Sequence, residues 1–310
     1  MAAPWPSVRG LCLSNVADVD FAPGRRRVRW ETVKRITSFE NEGLTFDVTD
    51  SGRGEAIVLL HGFPQRASSW DKVAPLLQDR GYRTVAPDQR GYSPGARPKG
   101  RKAYSLPHLA SDAAALIDQV GGPVHLVGHD WGAAVAWAVA ANYPDKVKSL
   151  TAVSVGHPLA FVKSMGKSNQ ILRSWYMLAF QIPRAPEAIL ATTNALAVKS
   201  MTRMGMTPEM IERFRREIVD TGALRGGLGW YRALPLAPPN YVGRVSAPTT
   251  MVWSDDDAAL DITQAVDSER YVDGPFEFIQ LNGVSHWIPE ERPEELAAAI
   301  VARATSASIA

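Results

Sequence analysis

The stretch Val127–Gly128–His129–Asp130–Trp131–Gly132 decides how the rest of the chain is read. The apolar run Val124–His125–Leu126–Val127 leads into it and is short enough for a buried strand. The residues from Ala133 to Ala141 follow it and are rich in helix formers. Glycines stand two positions before and two after Asp130. This G-x-Nuc-x-G spacing is that of a nucleophile elbow, a sharp strand-to-helix turn that lifts one side chain above the sheet. The glycines are needed because a Cβ would collide in so tight a turn. The lifted residue is a carboxylate, not a serine. The expected chemistry is attack on a saturated carbon, with an ester left on the enzyme. A plainer alternative is a βα turn whose Asp only caps the helix.

Outward from the elbow, strands and helices alternate. Upstream, Ile36–Phe39 and Leu44–Val48 flank Asn41–Glu42–Gly43, a hairpin signal. Ser51–Gly52–Arg53–Gly54 reads as a turn. Ala56–Leu60 is a continuous apolar run, hence a central strand, and His61–Gly62–Phe63–Pro64 follows at the end where open α/β sheets bind ligands. The spacing of Trp70, Val73, Leu76 and Leu77 predicts a helix over 69–78. A strand over 83–87, the loop Asp88–Gln89–Arg90–Gly91–Tyr92–Ser93 and a helix over 109–120 come next. Downstream, strand character appears over 149–155, then 249–253 and 276–280, with a final helix over 294–304. Between about Leu159 and Asn240 the patterns are helical and no strand stands out.

This order predicts an α/β fold with a mostly parallel sheet flanked by helices, and a helical cap inserted over the C-terminal strand edges. The boundaries are an N-terminal extension over 1–35, a core over 36–158, the cap over 159–240 and the rest of the core over 241–310. The extension carries Pro4, Pro6, Pro23 and the basic run Arg25–Arg26–Arg27, and is read as a solvated tail.

Two loops after the last strands supply what an elbow needs. Ser254–Asp255–Asp256–Asp257 follows one strand and Gly283–Val284–Ser285–His286–Trp287 follows the other. A histidine takes a proton from water near neutral pH, and an acid on its other nitrogen fixes its tautomer. The chain order nucleophile, acid, histidine suits this use. By residue type alone, any of Asp255, Asp256 and Asp257 could be that acid. His108, His125 and His157 are read as structural or surface residues.

Composition narrows the classes. Of 310 residues, 45% are apolar and 21% charged, with a net charge of +2, as in an ordinary globular protein. So small a charge gives no reason to expect nucleic acid or an anionic membrane as partner. No run approaches the roughly eighteen apolar residues of a membrane span, and no cleaved leader is expected. The single cysteine, Cys12, cannot close an internal disulfide, which fits a reducing, cytoplasmic setting.

With these motifs in hand, the chain resembles an epoxide hydrolase of the α/β-hydrolase fold over about Thr37 to Ala304. His61–Gly62–Phe63–Pro64 is similar to that family's oxyanion loop, Gly128–His129–Asp130–Trp131–Gly132 to its elbow, and Ser285–His286–Trp287 to its base loop. Asp88–Ser93 resembles the loop after its next strand. In the cap, Trp175–Pro183 and Gly229–Trp230–Tyr231–Arg232 resemble the two tyrosine segments of that family. The resemblance implies that Asp130 attacks an epoxide carbon while Tyr176 and Tyr231 hold the oxygen. It implies Asp257 as the acid that orients His286, and backbone N–H groups of Phe63 and Trp131 as the oxyanion hole. Such a role suits a phenol, which can give up its proton as an alkoxide forms. Trp175, Phe180, Trp230 and Trp287 are expected to line an apolar substrate pocket. The partners implied are a small apolar epoxide and water, in a detoxification role, with no cofactor and no metal. A monomer or homodimer is expected.

Two competitors remain at this point. A haloalkane or haloacid dehalogenase of the same fold also uses an elbow Asp, and the Trp131 indole N–H could hold a halide. Against it, Phe63 stands where haloalkane dehalogenases often place Asn, and Trp131 where fluoroacetate dehalogenases tend to carry Arg. The other competitor is a catalytically silent binding protein of the same fold.

Overall fold

The computed structural model describes residues 34–192 and 195–309. All but the end of the expected N-terminal extension, with Cys12 and the Arg25–Arg27 cluster, lies outside the described residues. The strands are β1 (Ser38–Asn41), β2 (Leu44–Gly52), β3 (Ala56–Leu60), β4 (Arg83–Pro87), β5 (Val124–His129), β6 (Val147–Val153), β7 (Thr249–Ser254) and β8 (Phe276–Leu281). They form one sheet in the order β1-β2-β4-β3-β5-β6-β7-β8. β2 runs antiparallel to both β1 and β4, and the other neighbours pair in parallel.

The central strands show why the sheet is covered on both sides. In β3, Val58 and Leu60 join one apolar cluster while Ile57 and Leu59 join another. Successive side chains of a strand point to opposite faces, so a continuous apolar run needs two layers of helix. Each such buried side chain stabilises the fold by about 1.5–3 kcal/mol. The layers are built from α1 (Ala74–Asp79), α2 (Leu106–Val120), α3 (Trp131–Asn142) and the helices that follow the last two strands.

Among the described residues between β6 and β7 lie the helices α4 (Pro158–Ser164), α5 (Gln170–Arg173), α6 (Trp175–Ala179), α7 (Ala185–Ala191), α8 (Ala195–Arg203), α9 (Pro208–Phe214) and α10 (Leu224–Ala233), and an isolated bridge of Val245 to Val272. α11 (Ile262–Val266) follows β7, and α12 (Ile288–Glu291) and α13 (Pro293–Ile309) follow β8. Residues 35–310 cluster as one unit.

Several local expectations are corrected. The turn expected over 51–54 starts later, because β2 pairs through Ser51–Thr84 and Gly52–Arg83 with β4; strand pairing overrides turn propensity. The helix expected over 69–78 is a 3-10 turn, Ala67–Trp70, followed by α1 from Ala74. Pro75 in the first turn of α1 lacks an N–H and bars a helix from running through from upstream. α2 starts at Leu106, not Leu109, with Pro107 in its first turn, where proline is tolerated. The hairpin closes through Glu42 (φ 49°) and Gly43 (φ 73°), a pair with positive φ at both positions. β6 ends at Val153, and Ser154 adopts φ 67°.

Candidate active site

The parallel strands bring their C-terminal ends to one edge, and four of these ends carry the candidate chemistry. β3 leads to His61–Phe63, β5 to Asp130, β7 to Asp257 and β8 to His286.

Asp130 sits at the elbow with φ 53° and ψ −121°. A non-glycine residue held there is strained, and the surrounding structure must hold it in place. A Cβ on Gly128 would strike the backbone of Gly132, and one on Gly132 would strike the carbonyls of Leu60 and His61. The close passage of β3 past the elbow is therefore possible only with glycine at both positions. Gly62 has a further reason, since a Cβ there would land on the Asp130 carboxylate.

Asp130 makes no side-chain cap of the usual kind on α3. Its Oδ1 accepts the Phe63 N–H at 2.7 Å, and the Trp131 backbone N–H also bonds the carboxylate. Its Oδ2 lies 3.4 Å from His286 Nε2. On the other side of the ring, His286 Nδ1 is 2.7 Å from Asp257 Oδ2. Asp257 is buried, and its Oδ1 accepts the amides of Ala259 at 2.8 Å and Leu260 at 2.9 Å. Those two bonds explain why this acid, and not a neighbour, faces the histidine. Asp255 is exposed and accepts the Gly283 amide at 2.7 Å, and Asp256 is also exposed.

The electrostatics form a coupled pair. Burial alone would raise Asp130, but the hydrogen bond and charge of His286 outweigh it and hold the carboxyl below its usual range. Burial alone would lower His286, but the Asp257 carboxylate first, then Asp130, raise it to about 10. At neutral pH His286 is thus held in its charged form, with Asp130 on one side of the ring and Asp257 on the other. A group whose pKa is raised on folding adds stability below its unfolded value and loses it as pH rises through the folded one. Stability is therefore expected to decline between about pH 6.5 and 10, and thermal melts of H286Q should show a shallower slope over that window. An equal slope would remove His286 as its source.

Tyr176 and Tyr231 face the carboxylate from the cap, on α6 and α10. Their ring centroids are 5.9 Å apart. Tyr231 also packs edge-on against Trp131 at 5.1 Å. Burial raises both phenols well above their usual value, and the Asp130 charge adds to this. Both are thereby held in the protonated form at neutral pH. Asp130, Trp131, Tyr176 and Tyr231 all line one cavity of about 560 Å³, whose walls include Leu106, Val155, Phe161, Met177 and Trp230.

The four expected pocket aromatics divide. Trp230 lines the cavity, with its Nε1 donating to the Arg90 carbonyl at 2.8 Å. Trp175, Phe180 and Trp287 do not line it. Trp175 is 65% exposed: α6 turns Tyr176 inward, and the adjacent residue lies about 100° round the helix. Phe180 packs behind the site, edge-on to Tyr231 at 5.0 Å and Phe63 at 5.7 Å. Trp287 is buried beside His286, its Nε1 donating to the Met204 carbonyl at 2.8 Å. His108, His125 and His157 lie elsewhere, bonded to Glu42, Ser149 and Gly243 respectively.

Sequence reasoning missed the groups that hold these residues. His129 Nε2 donates to the His286 carbonyl at 2.9 Å, and Ser154 Oγ donates to the same oxygen at 3.2 Å. Ser254 Oγ donates to the Ser285 carbonyl at 2.7 Å. Burial lowers His129 to about 4, so it stays neutral. On the β3 side, Gln89 clamps His61: its amide N–H donates to His61 Nε2 at 3.1 Å and its side chain donates to the His61 carbonyl at 2.6 Å. Asp88 in turn accepts the Ala67 amide at 3.0 Å. The loop 88–93 thus positions the Phe63 N–H. The elbow's own His129 was the one available signal; the serines carry none.

Residues 55–293 match the family model of the alpha/beta hydrolase fold. The chain is 36% identical over 266 residues to the AB hydrolase superfamily protein YfhM of Bacillus subtilis, covering 81% of this chain and 91% of that one. It is 30% identical over 311 residues to Epoxide hydrolase A of Mycobacterium tuberculosis, covering 84% and 94% of the two chains. Among solved structures, an epoxide hydrolase of Vigna radiata superposes with a TM-score of 0.74 at 29% identity, covering 87% of this chain and 97% of that one. With sheet order, elbow and loop placement agreeing, the chain belongs to the α/β-hydrolase fold family, in its epoxide hydrolase branch.

Proposed function

We propose that the protein hydrolyses an apolar epoxide to a vicinal diol through an ester on Asp130. The observation that carries this reading is the pair of buried, protonated phenols, Tyr176 and Tyr231, in the same cavity as the Asp130 carboxylate. Oδ2 of Asp130 bonds to an epoxide carbon as that carbon's C–O bond breaks. The oxygen leaves as an alkoxide and takes a proton from a phenol. Donors aimed where charge develops favour the transition state over the ground state.

Esterification removes the Asp130 charge, one of the causes that raise His286. The imidazolium then more readily passes its proton to the phenolate, which restores the phenol and leaves a neutral ring to serve as base. The ring takes a proton from water, the hydroxide adds to the ester carbon, and the oxyanion is held by the Phe63 and Trp131 N–H groups. Collapse breaks the ester C–O bond, and the departing alkoxide takes the proton of the new Asp130 carboxyl, so the diol leaves with Asp130 again a carboxylate and His286 again an imidazolium. Asp257 orients the ring and stabilises its charged form.

The cavity walls are apolar and its volume suits a substrate larger than the smallest epoxides. Y176F and Y231F are each expected to slow ester formation by about 10²–10³-fold, the cost of one transition-state donor. Single-turnover kinetics read this; rates within twofold of the parent would refute the phenol roles.

The reaction class is tested by product analysis with an aryl epoxide and, separately, a bromoalkane. Diol from the first without bromide from the second is expected. Bromide without diol would overturn the reading in favour of a dehalogenase, and neither product in favour of a silent binding protein.

A further inference from the structure

The cap bears an apolar surface that the reaction does not use. Val162, Ile171, Leu172, Trp175, Leu178 and Ile182 are all more than half exposed, Leu178 at 77% and Leu172 at 71%. Ile171 and Leu172 lie on α5, Trp175 and Leu178 on α6, and Ile182 in the turn beyond, within twelve consecutive residues. Scattered apolar residues on a surface are ordinary, whereas a cluster of this kind marks a place of contact.

Two observations name the partner. The first is charge. Residues 159–205 hold six basic side chains and one acid, Glu187, although the whole chain is only +2. Glu187 is taken up by Arg232, and Arg173 turns inward to the Asp257 carbonyl. Lys167 pairs with Asp267 at 3.8 Å and Lys163 lies 5.2 Å over the Tyr271 ring, both still exposed, and Arg184, Lys199 and Arg203 are exposed around the apolar residues in sequence. Apolar side chains among lysines and arginines suit an anionic bilayer surface. A second copy of the same basic surface would be repelled. The second observation is continuity with the cavity. Exposed Val162 and Leu234 belong to its lining, and α6 presents Tyr176 and Met177 to the cavity while Trp175 and Leu178 face out. One short element is thus both cavity wall and outer surface.

We infer that this face of the cap docks on an anionic lipid bilayer and takes its substrate, a lipophilic epoxide, from the membrane. The choice of substrate rests on the epoxide reading above; the docking surface does not. The low overall charge concealed this because acids elsewhere in the chain offset the basic cap.

The test is flotation of the full chain with phosphatidylcholine vesicles, with and without phosphatidylserine, and needs no turnover. Co-flotation with the phosphatidylserine vesicles is expected, little with neutral ones, and release at about 1 M salt, where screening acts within about 3 Å. L172S/L178S should weaken binding by about tenfold or more, since two large apolar side chains are lost from the contact. The same variant should keep the parent rate on a water-miscible aryl epoxide, which shows that it folds. No flotation by the parent chain overturns the inference, as does unchanged flotation by an active L172S/L178S. A parent dimer that L172S/L178S converts to a monomer, with no vesicle binding, assigns the surface to a second copy instead. Loss of diol formation with flotation intact would strike the epoxide reading alone.

Discussion

D130N is expected to lower diol formation by about 10⁴-fold or more, the order of loss when a nucleophile is removed. The amide is nearly isosteric with the carboxylate and fits the same strained elbow, so the loss would not come from a collapsed site. It comes from chemistry: an amide oxygen is a poor nucleophile for carbon, and the charge that pairs with His286 is gone. Diol measured by chromatography, alongside a melting curve, reads both effects. One of the two carboxylate partners of the buried His286 is lost too, and Asp257 alone is left to compensate the ring's charge. A modest drop in melting temperature is therefore expected with the loss of activity. A variant that retains within about tenfold of the parent rate would show that Asp130 is not the nucleophile, and would leave general-base attack of water on the epoxide as the mechanism.

H286Q separates the two halves of the reaction. Ester formation needs Asp130 ionised and the phenols protonated but no base at position 286; because loss of the His286 charge lets burial raise Asp130, the adduct is expected to form most fully on the alkaline side of neutrality. Hydrolysis of the ester does. The variant is expected to consume about one equivalent of epoxide, gain its mass covalently, and release diol slower by about 10²–10⁴-fold, the usual contribution of a positioned base. Intact-protein mass spectrometry after mixing, with the adduct mapped to the peptide holding Asp130, checks this directly. The site geometry supports it. His286 Nε2 lies 3.4 Å from Asp130 Oδ2, close enough to serve a water that attacks the ester, while Nδ1 is committed to Asp257 at 2.7 Å. Absence of any adduct, with epoxide consumption abolished, would mean that His286 acts before the covalent step and would refute this division of labour.

The two expectations are linked by one electrostatic argument. In the resting protein Asp257 and Asp130 raise His286 to about 10. In the proposed mechanism, ester formation would withdraw one of those charges at the moment when a base is needed.

Much of this was legible in the sequence by itself. Alternation of short apolar runs with helical patterns is enough to predict the sheet, since a strand buried on both faces has no polar side to show. The glycine spacing around Asp130 marks the elbow, because so close a passage of backbones excludes any Cβ. The loops bearing Asp257 and His286 follow from the strand ends. What the linear chain could not supply was anything that depends on which way a side chain turns or on what packs beside it. Three adjacent aspartates look alike until the amides of Ala259 and Leu260 pull one of them inward. Trp175 and Tyr176 are neighbours of similar apolar character, yet the rotation of a single short helix places one in solvent and the other in the cavity. The extension of β2 to Gly52 depends on a partner strand thirty residues away in sequence. The hold of His129, Ser154 and Ser254 on the base loop comes from three strand ends meeting at one edge of the sheet. Local pattern determines which elements form and which residue types they carry; burial and hydrogen bonding between distant segments, which only the folded chain brings together, decide which of those residues do the chemistry.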